Sequence, residues 1–147
     1  MRRAGPADVE AIAALERLAF GIRAWSARLV AEEVAHPEAV VLVREGIGGL
    51  EGYVGLRVAA GSAQVFTLAV RPDLRRTGIA SGLLDRAEAI AREAGAEAVH
   101  LEVAEGNAAA RALYAGRGYR EVGRRKGYYG TAEDAVLMTL EWGGGAA

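Results

Sequence analysis

The spacing of apolar residues changes along the chain. Some stretches have the pattern of strands, and others have the three-to-four-residue spacing of helices. Residues 63–70 form an apolar run typical of a buried strand. After a turn, apolar residues recur every three or four positions, which predicts an amphipathic helix whose buried face is Ile79, Leu83, Leu84, Ala87, Ile90, Ala91 and Ala94. Gly95 is a natural end for that helix, and residues 97–103 follow as a second strand. A strand, a crossover helix and a strand in this order predict a parallel pair.

The first half of the chain predicts one weak strand, two helices and three consecutive strands. Residues 1–4 are the weak strand, and Pro6 and Asp8 suit the first turn of a helix that runs to about Phe20. Ser26 is a suitable N-cap for a second helix over 27–35. Strands are predicted at 40–44, 50–58 and 63–70, and the glycines at 52 and 55 suggest a bulge in the middle one. Between the helices, we expect Phe20, Trp25 and Leu29 to be core residues rather than pocket residues.

The second half predicts one more helix and two closing strands. Asn107 is a strong N-cap for an alanine-rich helix that ends at residues 116–118. A strand begins at Tyr119, a loop surrounds residues 128–130, and residues 134–142 form the last strand. We therefore expect a single α/β domain over residues 1–142, with a frayed tail at 143–147.

Composition limits the classes of function. The chain has 147 residues, 52% of them hydrophobic and 25% charged, with a net charge of −1. These values are ordinary for a globular protein and give no reason to expect affinity for nucleic acid or membranes. No apolar run is long enough to cross a bilayer, and the first residues turn polar too soon for a signal peptide, so we expect the cytoplasm. Because the chain has no cysteine, a thiolate metal site and a cysteine nucleophile are excluded.

The turn between residue 70 and the long helix has the chemistry of an anion site. Small residues at positions 78, 80 and 81 allow a ligand to approach the backbone, and the first N–H groups of a helix lack partners within it. Arg75 and Arg76 add positive charge, so a phosphate-bearing ligand is expected. The turn lacks the lysine of a P-loop and the three glycines of the dinucleotide fingerprint.

Glu102 stands out in the strand at 97–103. It shares a strand face with Ala98 and His100, and a carboxylate in the middle of an apolar strand is unusual. Two interpretations remain open from the strand alone. The residue is either a solvated glutamate on an open face or a carboxylate whose surroundings suit general-base catalysis.

Several spaced motifs together resemble one family. Arg75-Arg76-Thr77-Gly78-Ile79-Ala80 fits the Arg/Gln-x-x-Gly-x-Gly/Ala signature of the GNAT acetyltransferases, which hold the pyrophosphate of acetyl-CoA on such a loop. The later motifs most resemble the ribosomal-protein-alanine N-acetyltransferases (RimI-like) of that superfamily: Leu101-Glu102-Val103, Asn107-Ala108-Ala109, Ala112-Leu113-Tyr114, Gly118-Tyr119 and the run from Arg124 to Tyr129. The likeness covers nearly the whole chain, and motifs in one order are more specific than any single motif.

The resemblance implies a mixed seven-stranded sheet, splayed between its fourth and fifth strands, with four helices on its faces. Acetyl-CoA would lie in the gap, bound by the backbone of Leu68, Ala69 and Val70, by Asn107, and by the loop residues Arg75, Arg76, Thr77, Gly78, Ile79, Ala80 and Ser81. Glu102 would be the general base and Tyr114 the general acid. The N–H of Val70 would meet the oxyanion, and Tyr128 and Tyr129 would flank the acceptor.

Simpler roles remain open for several of these residues. Tyr114 could only pack its helix, and Tyr128 and Tyr129 could be a cross-strand packing pair. For His100 we favour a hydrogen-bonded strand histidine over a proton relay. The basic run at 124–126 is expected to be a solvated strand edge.

The resemblance implies direct transfer of an acetyl group from acetyl-CoA to the N-terminal α-amine of a protein, with no metal. The expected acceptor is the N-terminal alanine of a small-subunit ribosomal protein. Ala104, Gly106 and Gly130 depart from the family pattern near the acceptor, which leaves the identity of the acceptor open more than the reaction. Two alternatives to the expected function are kept. One is a GNAT enzyme that acts on lysine or a small amine, and the other is a non-catalytic module that binds acyl-CoA.

Overall fold

The computed structural model describes residues 1–127 and 133–142, and the statements below concern these ranges. The helices are α1 (Val9–Phe20), α2 (Ala27–Ala35), α3 (Ile79–Glu93) and α4 (Ala108–Gly116). The strands are β1 (Arg2–Arg3), β2 (Ala39–Gly46), β3 (Gly49–Ala59), β4 (Ser62–Val70), β5 (Ala98–Ala104), β6 (Arg120–Arg125) and β7 (Ala135–Glu141). Each predicted element is present, with ends within about two residues of those expected from the sequence.

The strands form one seven-stranded sheet in the order β1-β2-β3-β4-β5-β7-β6. Every pair is antiparallel except β4 and β5, which are parallel and are joined by α3. The mixed α/β architecture and the crossover predicted from the sequence are therefore confirmed. The carboxyl ends of β4 and β5 point toward the same edge of the sheet, and α3 and α4 both follow from that edge.

The two faces of the sheet carry separate cores. α3 and α4 cover one face, where Leu83, Leu84 and Tyr114 pack with Val65, Leu101 and other strand residues. α1 and α2 cover the other face, where the packed residues are Ile12, Leu15, Val30, Val41, Val43, Tyr53 and Ala69. No helix among the described residues is long and apolar enough to span a membrane.

Glycines in β3 allow two close approaches. A Cβ at Gly52 would lie 3.0 Å from Leu83 Cδ1 and 3.1 Å from Ile79 Cγ2, so its absence lets α3 pack tightly on the strand. At Gly55 a Cβ would lie 2.4 Å from the ring of Phe66. The β3–β4 register shifts at Gly55 because Phe66 is an extra, unpaired residue on β4. The bulge suggested by the sequence is thus real, and its extra residue belongs to β4.

The predicted burial between α1 and α2 is only partly right. Trp25 is partly buried and stacks on Phe66, with 5.4 Å between the ring centroids. Phe20 is 38% exposed and Leu29 is 47% exposed, so the expectation that they are core residues is wrong. Val30 and Val34 form the apolar face of α2, which leaves Leu29, in the first turn, on its outer side. Phe20 ends α1, where the chain turns at Gly21 with φ +58°.

Candidate active site

The strands β4 and β5 separate midway along their length. Their paired residues are Ala63 with Val99, Gln64 with His100, and Val65 with Leu101, whereas β4 continues to Val70 and β5 to Ala104. The separation begins next to Phe66, the bulged residue of β4, and a bulge bends the strand that carries it. The splay that the resemblance implied is therefore present, as a gap that opens toward the carboxyl ends of both strands.

Backbone groups of β4 face this gap. Arg71 N donates to Glu51 O on β3 at 2.9 Å, and hydrogen bonding alternates along an antiparallel pair. In the observed register Ala69 is therefore directed toward β3, while the N–H and C=O groups of Leu68 and Val70 are directed toward β5. Since β5 has already separated there, Leu68 and Val70 offer backbone donors and acceptors to a ligand. The family resemblance grouped Ala69 with these two residues, but the backbone groups of Ala69 are directed toward β3.

The start of α3 lies next to the gap and has no side-chain cap. Its first hydrogen bond runs from Gly82 N to Gly78 O at 3.0 Å, so the N–H groups of Ile79, Ala80 and Ser81 have no acceptor within the helix. A Cβ at Gly78 or Gly82 would meet nothing within 4 Å, which shows that the surface around this helix start is open. The N-terminus of a 15-residue helix is favourable for an anion.

The loop before α3 has an uncommon backbone. Gly78 has φ +87° and Arg76 has φ +65°, a left-handed conformation that is rare outside glycine. The hydroxyl of Thr77 donates to Leu74 O and closes the turn. Arg75 and Arg76 are exposed, and neither forms an ion pair with any residue that the structure describes. Their charges are therefore available near the start of α3.

Glu102 is the first residue of β5 beyond the last pair with β4. Leu101 and Val103 point into the α3/α4 core, so Glu102 points to the α1/α2 face. Its side chain is only 20% exposed, and Arg125 Nη2 donates to Oε1 at 2.7 Å. Glu102 is therefore a partly buried, paired carboxylate at the point where the gap opens.

Tyr114 lies on the opposite face of the sheet from Glu102. It is 7% exposed, packs in the α3/α4 core and has its ring centroid 5.6 Å from that of Tyr119. Asn107 is the N-cap of α4, as the sequence predicted, and its Oδ1 accepts from Ala110 N at 3.1 Å. Tyr119, which follows α4 in the chain, donates from its hydroxyl to Glu88 on α3 at 2.9 Å. Burial raises the pKa of Tyr119 well above its usual value, and the nearby Glu88 carboxylate adds to the effect, so this phenol remains a donor.

Three other predictions concern the surroundings of Glu102. His100 Nδ1 lies 2.9 Å from Thr139 Oγ1, its cross-strand partner, which agrees with a hydrogen-bonded strand histidine. β6 is an edge strand, as expected, yet Arg124 pairs with Glu105 and Arg125 with Glu102, so the basic run is not merely solvated. Tyr128 and Tyr129, the predicted acceptor-side residues, lie outside the described residues.

Sequence reasoning missed a buried carboxylate beside the gap. Glu16 on α1 is 1% exposed and accepts from Trp25 N at 2.9 Å, from Thr67 Oγ1 at 3.0 Å, and from the Tyr53 hydroxyl. Burial, reinforced by the Glu16 carboxylate, raises the pKa of Tyr53 far above its usual value, so the phenol stays protonated. The signal was present in the sequence, because Glu16 lies four residues after Ile12 on the apolar face of α1.

Comparison with known proteins identifies the family. The acetyltransferase (GNAT) family matches residues 9–119, which include the gap, the start of α3, Glu102 and Tyr114. The chain belongs to the GNAT acetyltransferase family. It is an N-acetyltransferase by membership.

Relatives of this acetyltransferase share both sequence and fold. The [ribosomal protein bS18]-alanine N-acetyltransferase of Escherichia coli K12 is 35% identical over 96 residues, 63% of this chain and 65% of that protein. An N-alpha-acetyltransferase of Sulfurisphaera tokodaii is 32% identical over 151 residues, 94% of this chain and 90% of that protein. The crystal structure of the E. coli ribosomal-protein-S18-alanine N-acetyltransferase has a TM-score of 0.87 and 28% identity, over 95% of this chain and 90% of that one.

Proposed function

We propose that this acetyltransferase moves the acetyl group of acetyl-CoA to the α-amine of a protein N-terminus, in particular an N-terminal alanine. The observation that carries the proposal is the position of Glu102, directly after the last β4–β5 pair and beside the open gap. The names of the two curated relatives support an α-amine acceptor, and that of the E. coli protein supports alanine of a ribosomal protein.

The described residues fit acetyl-CoA. Leu68 and Val70 are not paired with β5, so their backbone groups on that side suit an amide-containing arm laid along β4 as an added strand would lie. The open, uncapped start of α3, over residues 78–81, suits a pyrophosphate, and Arg75 and Arg76 supply compensating charge. Asn107 caps α4 at the same edge, and its side-chain amide would lie next to the arm. Bound acetyl-CoA would supply a thioester carbonyl that an amine can attack.

Glu102 would prepare the acceptor amine. An α-amine is largely protonated at neutral pH and cannot attack until it loses a proton. Arg125 occupies Oε1 of Glu102, and Oε2 has no hydrogen-bond partner among residues 1–127 and 133–142. An ammonium group that reaches Oε2, directly or through a water molecule, can transfer its proton there. The proton moves from nitrogen to a carboxylate oxygen, which frees the nitrogen lone pair for attack.

Tyr114 and Val70 would complete the reaction. The N–H of Val70 is directed into the gap and can donate to the oxygen on which negative charge develops. As the C–S bond breaks, its electron pair goes to sulfur, and the Tyr114 hydroxyl can donate the proton that neutralises the thiolate. The nitrogen loses its second proton as the amide forms, and that proton restores the phenol through water. Glu102 and Tyr114 lie on opposite faces of the sheet, so acid and base approach the gap from opposite sides.

Peptide acetylation tests the proposal directly. The protein is incubated with acetyl-CoA and either an alanine-initiated peptide or the same peptide with a blocked N-terminus and an internal lysine, and products are mapped by mass spectrometry. We expect acetylation of the free α-amine only. Acetylation confined to lysine would overturn the proposal in favour of a side-chain acetyltransferase. An absence of transfer to either peptide, with acetyl-CoA bound, would favour a binding module.

A further inference from the structure

The segment between α1 and α2 spans the diverging strands on the face that carries Glu102. On one side Trp25 stacks on Phe66, the bulged residue of β4, with 14° between the ring planes. On the other side Arg23 Nη1 donates to Glu133 Oε1 at 3.1 Å, and Glu133 Oε2 accepts from Gly106 N at 2.9 Å. Gly106 belongs to the turn between β5 and α4. The segment 21–26 is therefore attached to both walls of the gap.

The two attachments differ in strength. The Arg23–Glu133 ion pair is partly exposed, with side chains 43% and 28% accessible, and exposed ion pairs contribute little. The β4 attachment is buried and converges on Glu16, whose two oxygens accept from three elements. Trp25 N–H comes from the segment, Tyr53 O–H from β3 and Thr67 O–H from β4. Thr67 directly follows the bulge and lies 3.2 Å, oxygen to oxygen, from Tyr53.

From this geometry we infer that Glu16 is a positioning residue for the acceptor. Its carboxylate fixes the segment 21–26 to β4 at the mouth of the gap and thereby shapes the surface on which the acceptor N-terminus lies. The inference rests on the proposed function for the identity of the acceptor. Glu16 takes no proton in the reaction, because donors from three elements already occupy its carboxylate and it is sealed from solvent.

Two readouts separate positioning from general stability. In Glu16→Gln the carboxylate loses its charge and one oxygen acceptor, so the amides of residues 21–26 should exchange with deuterium about tenfold faster. The KM for an alanine-initiated peptide should rise about tenfold, while the KM for acetyl-CoA stays within about twofold, because small displacements at a substrate surface have large kinetic effects. Thr67→Val should reproduce part of both changes, and Thr67→Ser, which keeps the hydroxyl, should restore wild-type behaviour.

Glu33 offers a matched control. It is also a buried helix carboxylate on the α1/α2 face, but it bonds Arg57, whose partner on β4 is Gln64 in the closed part of the pair. Glu33→Gln should lower the melting temperature without changing exchange at 21–26 or the peptide KM. If Glu16→Gln behaves like Glu33→Gln, or unfolds while Thr67→Val changes neither readout, the inference is overturned. If the wild type acetylates no peptide N-terminus, the proposed function fails, and the exchange readout still decides whether Glu16 holds the segment.

Discussion

The two ends of the β4–β5 pair use the same strands in opposite ways. At the closed end Ala63, Val65, Val99 and Leu101 are paired and at most 4% exposed. At the open end Leu68 and Val70 direct backbone groups into a gap, and Glu102 keeps a fifth of its side chain exposed. The closed end gains stability from burial and complete hydrogen bonding, whereas the open end leaves polar groups for a ligand. One bulge thus divides the strand pair into a part that stabilises the fold and a part that leaves polar groups for a ligand.

The largest effect is expected from the carboxylate at the open end. Glu102→Gln removes the proposed proton acceptor and keeps the shape, so kcat should fall by about 10²–10⁴-fold, the range typical of a lost general base. The melting temperature should change little. Glu105→Gln is the control. Glu105 also pairs with an arginine, Arg124, but it lies beyond the end of β5. Steady-state kinetics with both variants decide the point, and equal activity of Glu102→Gln and wild type would remove Glu102 from the mechanism.

A substitution in the core at the closed end should affect stability rather than catalysis. Leu101 is 2% exposed in the α3/α4 core, so Leu101→Ala should lower the free energy of unfolding by about 2–5 kcal/mol. Because the open end is untouched, kcat for the folded fraction should stay within about threefold of wild type. Urea unfolding followed by circular dichroism, with kinetics at low temperature, measures both. A loss of kcat like that of Glu102→Gln would show that the two ends are not separable.

The contrast also shows what sequence could and could not predict. The crossover from β4 through α3 to β5 follows from local periodicity, and Glu102 was visible because it interrupts an apolar strand. Its partner Arg125 was not, since the contact depends on the order β5-β7-β6 and on register across two strand pairs. The position of Glu16 on the apolar face of α1 was visible in the sequence, but its partners were not. Its three donors come from β3, β4 and the segment after α1, and no local pattern brings them together.

An intermediate effect on kcat is expected from Tyr114, on the opposite face of the sheet from Glu102. Tyr114→Phe keeps the buried ring in the α3/α4 core but removes the proposed proton donor, so kcat should fall by about 10²-fold with a nearly unchanged melting temperature. Tyr119→Phe provides the comparison, because it instead loses the bond to Glu88 and should lower stability by about 1–3 kcal/mol. If Tyr114→Phe lowers stability and leaves kcat unchanged, Tyr114 has only a packing role.

The smallest effect is expected where the gap meets bulk solvent. Arg75 is exposed, so in Arg75→Ala the lost attraction to the pyrophosphate is partly screened, and the KM for acetyl-CoA should rise only about three- to tenfold with kcat unchanged. The difference from wild type should shrink as salt is raised from low ionic strength to about 0.5 M, because screening weakens the attraction between Arg75 and the pyrophosphate, which only the wild type has. Arg86→Ala, on the exposed side of α3 two turns from its start, should leave the KM unchanged. Equal effects of the two substitutions would mean that general surface charge, rather than the start of α3, attracts the phosphates.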